Sequence, residues 1–114
     1  MKNMQSKLKI VPELLCQVTD NVSHYHEMKQ TDKYIVWAED SEGSSVEGDD
    51  HKINQSIQGT IDYFTMEEFD SNVDKIQTLL KEARISFYLN SVQYESRDES
   101  GAGYIHYEWV FEVT

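Results

Sequence analysis

The chain has 114 residues and a formal net charge of −11. That length suits one domain, residues 1–114, with one core and no need of a metal or disulfide staple. The acidic balance argues against a nucleic-acid-binding face and against an anionic membrane surface, because both need clustered Lys and Arg. Cys16 is the only cysteine, so no internal disulfide forms, which fits a reducing compartment, and Cys16 reads as a small buried hydrophobe. No apolar run approaches the length of a membrane span, and the first residues lack the apolar stretch of a secretory signal.

Residues 4–20 place Met4, Leu8, Val11, Leu14, Leu15 and Val18 near helical spacing. Pro12 interrupts this pattern and predicts either a kink or a better helix starting there, so the first half is imperfect. Residues 22–29 suit a short strand with His24 and His26 on one face. Two histidines make half a metal site, but no further ligand has matching spacing, and exposed edge-strand histidines account for the pair.

Residues 34–39, Tyr-Ile-Val-Trp-Ala-Glu, predict a strand. Residues 40–50 are small, polar and acidic and predict an exposed, poorly ordered loop. A calcium loop of the EF-hand type would need Gly and Glu where Ser45 and His51 stand, so that motif fails. Residues 53–65 alternate Ile53, Ile57, Ile61 and Tyr63 against Gln58, Thr60, Asp62 and Phe64. They predict a long strand pairing with the previous one, and Gly59 within it marks a bulge or a close neighbour.

Phe69, Val73, Ile76, Leu79, Leu80 and Ala83 then fall at helical spacing. Two capping boxes compete for the start of this helix, Thr65 with Glu68 and Ser71 with Asp74. Residues 85–95 predict a strand with Ile85, Phe87 and Leu89 on one face and Tyr88, Val92 and Tyr94 on the other. A polar loop over residues 96–103 returns the chain into residues 104–113. There Ile105, Tyr107, Trp109, Phe111 and Val113 alternate with Tyr104, His106, Glu108, Val110 and Glu112. This last segment has three aromatics on its apolar face and needs cover. We place Ile105, Tyr107 and Trp109 under the helix bearing Val73, Ile76 and Leu80.

Hairpin-linked strands and two amphipathic helices imply an α+β fold, a mostly antiparallel sheet of four to five strands with both helices on one face. The other face would still show Tyr34, Phe64, Val110 and Tyr88 or Tyr94, an apolar surplus that wants a partner. The sequence has no phosphate-binding glycine loop, no Cys-x-x-Cys, no His-Glu-x-x-His and no serine elbow. We therefore expect no enzyme and assign no catalytic, cofactor-binding or metal residues.

Four segments in order carry a resemblance: Tyr-Ile-Val-Trp-Ala-Glu-Asp (34–40), Ile-Gln-Gly-Thr-Ile-Asp-Tyr-Phe-Thr (57–65), Leu-Asn-Ser-Val-Gln-Tyr-Glu (89–95) and Ile-His-Tyr-Glu-Trp-Val-Phe-Glu-Val (105–113). Together they resemble tail terminator, or tail completion, proteins of phages and prophages with long non-contractile tails. Ser71 stands where many such relatives carry proline. The resemblance implies an α+β subunit that assembles as a ring, commonly a hexamer. Such a ring caps the head-proximal end of the tail tube, stops its growth and meets head-completion proteins. DNA would pass through without specific binding, and the acidic surface suits that passage. The implied setting is the bacterial cytoplasm during assembly, then the virion tail. A head-tail stopper, a tail tube subunit, and an unrelated small cytosolic binding protein or enzyme remain open alternatives.

Overall fold

The computed structural model describes residues 3–26, 31–43, 55–96 and 103–114. Two short helices, α1 (Met4–Leu8) and α2 (Ile10–Leu15), begin the chain. They meet at Lys9 and not at Pro12. A proline ring clashes with the carbonyl four residues back and cannot donate to it, so Pro12 breaks the ladder at Leu8, one turn before itself. Leu8, Val11 and Leu15 form the buried stripe. Cys16 follows Leu15 by one position, about 100° round the helix, and is exposed, contrary to the buried role expected for it.

Five strands form one sheet: β1 (Val22–His24), β2 (Lys33–Glu42), β3 (Ile57–Thr65), β4 (Ser86–Ser96) and β5 (Gly103–Val113), in the order β1-β2-β3-β5-β4. Among the described residues only the β1–β2 pairing is parallel. The expected α+β architecture is thus present, with helix α3 (Ser71–Glu82) carrying the chain from β3 to β4. β5 lies between β3 and β4, so it has neighbours on both edges, which is why the most aromatic strand belongs there.

β2 extends past residue 39 to Glu42, so the first residues of the expected acidic loop belong to a strand; residues 44–50 lie outside the described residues. β3 begins at Ile57, while Ile53 lies outside the described residues. Gly59 faces a bulge between Glu39 and Ser41. A Cβ at Gly59 would stand 2.1 Å from the Ala38 carbonyl oxygen and 2.8 Å from Phe111, so the close approach expected there is real.

The main core lies between the sheet and the helices. Trp109, Phe111, Tyr63, Ile61 and Ile35 from the sheet meet Ile76 and Leu80 of α3 and Val11 and Leu15 of α2. Val73 and Tyr107 pack on its margin. Trp109 donates its indole N–H to Gln77 Oε1 of α3 at 3.0 Å, which fixes the helix over the strand. Ile105 is not part of this core; it is half-buried and lines a cleft with Met66 and Tyr94. The opposite face has a small core of its own. Tyr34, Phe64 and Tyr104 bury one another, with Tyr34 stacked on Phe64 at 4.5 Å and Tyr104 edge-on to Tyr34. Tyr34 and Phe64 are therefore not surplus surface for a partner.

Candidate interaction surface

Among the described residues β4 pairs with a strand on one side only, and of its eleven residues Glu95 alone is charged. Its pairing with β5 slips between Leu89 and Ser91, which leaves Asn90 as a bulge. Before the bulge, Leu89 sits opposite Trp109; after it, Val92 and Tyr94 sit opposite Tyr107 and Ile105. Paired residues share a face, so Leu89, Val92 and Tyr94 all point to the helical side and only Tyr88 points away. The expected grouping of Tyr88 with Val92 and Tyr94 is wrong, because a single extra residue inverts the alternation. Tyr88, Leu89, Val92 and Tyr94 are all exposed. Natural edge strands are commonly protected by lysine, proline or inward charge, and β4 has a bulge but none of these.

The turn from β3 to α3 borders the same surface. Met66 and Glu68 line a cleft of about 470 Å³ with Tyr94, Gly103 and Ile105. Phe69 follows Glu68. It is 98% exposed and holds φ at 57°, a backbone region costly for a bulky side chain. The helical spacing placed Phe69 on the buried stripe, but α3 starts only at Ser71 and Phe69 lies outside it.

Asp70 holds this turn. Neither expected capping box forms; the Asp70 carboxylate is the N-cap and accepts from the Asn72 N–H at 2.9 Å. The same carboxylate accepts from Tyr63 Oη at 2.5 Å and Thr65 Oγ1 at 2.8 Å, and Lys33 Nζ lies 3.5 Å away. Burial alone would push the Asp70 carboxyl up, but the hydrogen bonds from Tyr63, Asn72 and Thr65 outweigh it and hold the group below the usual carboxylate range. Burial, reinforced by the negative Asp70, pushes the Tyr63 phenol well above its ordinary value. Asp before a helix is a recognisable N-cap, so this residue was open to discovery; its partners on β3 were not.

His106 lies on the opposite face, stacked on Phe64 at 4.1 Å. Its Nε2 meets Asp62 of β3 and its Nδ1 meets Glu95 of β4, each at 2.7 Å. The Asp62 hydrogen bond raises the imidazole to about 9 against partial burial, with Glu95 adding to the rise. A charged His106 thus ties three strands together and neutralises the one acid of β4.

His24 stacks on Trp37 at 4.0 Å and meets Glu39 Oε1 at 2.7 Å, while His26 is exposed. Among the described residues no three His, Cys, Asp or Glu side chains are grouped to hold a metal ion. His24 instead lines an apolar cleft of about 190 Å³ with Leu8, Pro12, Trp37, Lys9 and Glu39. No helix among the described residues is long and apolar enough to cross a membrane. Comparison with protein-family models and with curated proteins gives no match to this chain.

Proposed function

We propose that this protein is a structural subunit of a phage or prophage tail, a tail terminator. It assembles as a ring on the head-proximal end of the tail tube, stops tube growth and presents a surface to head-completion proteins. The observation that carries the reading is β4, the nearly uncharged edge strand of the described sheet, with four exposed apolar side chains on an otherwise acidic chain. Copies that each carry −11 repel one another, and β4 is where they can approach without opposing like charges. A ring needs heterologous contacts, one patch against a different patch on the next subunit. The β4 edge and the short β1 edge lie at opposite ends of the sheet and supply two unlike patches. The four-segment resemblance supports the same reading, and with it passage of DNA without specific binding, assembly in the bacterial cytoplasm and a final place in the virion.

Deleting the gene from its phage or prophage tests this. The expected result is tails of uncontrolled length that do not join heads. Normal-length tails on full heads would refute the proposal. Normal-length tails that stay unattached would make the protein a head-side stopper instead.

A further inference from the structure

Phe69 is out of place energetically. A fully exposed phenyl ring gains nothing from burial, and its left-handed backbone is strained for a bulky side chain. Yet the turn that presents it is anchored at once by the Asp70 carboxylate, which binds Tyr63, Thr65 and the first turn of α3. An aromatic held outward on an anchored turn has the form of an interface hot spot, because its backbone is already ordered before a partner arrives.

The same chain contains a cleft of matching chemistry. The open cleft lined by Leu8, Pro12, Trp37 and the His24 ring stacked on Trp37 measures about 190 Å³ and is mostly apolar. A cavity of about 150 Å³ is enough to take a benzene ring. Lys9 and Glu39 both line this cleft, Glu39 being hydrogen-bonded to His24 at 2.7 Å, which leaves Lys9 to face an incoming acid; Glu68 stands beside Phe69, and Lys9 and Glu68 are both exposed. The cleft lies against β1 and β2, whereas the Phe69 turn follows β3 and borders the cleft of Tyr94 and Ile105. Patch and cleft are different surfaces, so their union between copies is heterologous.

We infer that Phe69 of one subunit inserts into the Leu8–Pro12–Trp37–His24 cleft of a second copy of this chain, with Glu68 opposite Lys9 of that copy. This rests on the ring reading above and names its subunit contact. It also gives the strained backbone a purpose: the left-handed turn aims the ring away from its own core and toward a neighbour.

Self-association of purified protein, followed by sedimentation velocity, tests it, alone and in the presence of tail tubes. Phe69→Ala should weaken association by about thirtyfold or more, as loss of a central aromatic anchor does. Phe69→Gly should weaken it equally while raising the melting temperature, because glycine relaxes the positive φ. A merely structural Phe69 would not separate those two readouts. In a Cys16→Ser background, oxidation of Glu68→Cys/Lys9→Cys should give a covalent ladder, and either single substitution at most a dimer. If the wild type forms rings, alone or on tubes, and Phe69→Ala forms them equally well, this contact is wrong and the ring stands. If the wild type stays monomeric both alone and on tubes, the ring reading itself falls.

Discussion

At the scale of single residues, two side chains hold the sheet in different ways. Trp109 is fully buried and hydrogen-bonded to Gln77, so Trp109→Ala removes a large ring and leaves the Gln77 amide without its indole partner. The expected loss is about 3–5 kcal/mol, a large share of a small domain's stability, visible as a lower denaturant midpoint. An unchanged midpoint would contradict the packing of α3 on β5. His106 acts through charge. Its folded value of about 9 lies above the 6.5 of a free imidazole, so the folded state binds the proton more tightly. Its contribution is therefore complete below pH 6.5 and is lost as pH rises through about 9. With Glu95 half exposed to solvent, the effect is on the order of 2 kcal/mol. Stability measured from pH 6 to 10 should fall across that window in the wild type and run flatter in His106→Gln.

At the scale of elements, the β3–α3 junction is the most testable. Asp70→Ala would remove the N-cap of α3 and the acceptor for the Tyr63 and Thr65 O–H groups, leaving those buried hydroxyls only the bonds they accept from Asn72 and Glu67. The expected cost is about 2–4 kcal/mol by thermal or urea unfolding. Asp70→Asn keeps an acceptor and should lose less. This junction also marks what periodicity conveys and what it does not. The stripe of Val73, Ile76 and Leu80 and the alternation of Trp109, Phe111 and Val113 were legible, because burial imposes a period on residue type. Phe69 continued the helical period by chance, and only backbone geometry reveals that the chain turns away there. The bulge at Asn90 was hidden because one extra residue leaves no compositional trace yet moves Val92 and Tyr94 to the opposite face. The aromatic cluster of Tyr34, Phe64 and Tyr104 was hidden for another reason: it depends on which strands are neighbours, and strand order is not local information.

At the scale of the whole molecule, the distribution of charge matters more than its sum. The chain carries −11, but β4 contributes one acid, and that acid is tied to His106. Placing a lysine in the middle of this edge should therefore separate folding from assembly. Val92 is half exposed, so Val92→Lys should leave the melting temperature nearly unchanged while suppressing self-association, as inward lysines do on protected edges. Unchanged association in a folded Val92→Lys would remove β4 from the interface. Salt provides the complementary test. Between copies of like charge the long-range term is repulsive, and its range shrinks from about 30 Å at 0.01 M salt to about 3 Å at 1 M. Apolar contacts at β4 do not weaken as salt rises, and an exposed rim ion pair is worth only about 0–1 kcal/mol. Self-association should therefore strengthen as salt rises, opposite to the response of a protein held by phosphate contacts. Sedimentation of the wild type across that salt range measures the slope directly. An association that weakens with salt would mean that ion pairs, and not the uncharged edge, hold the copies together.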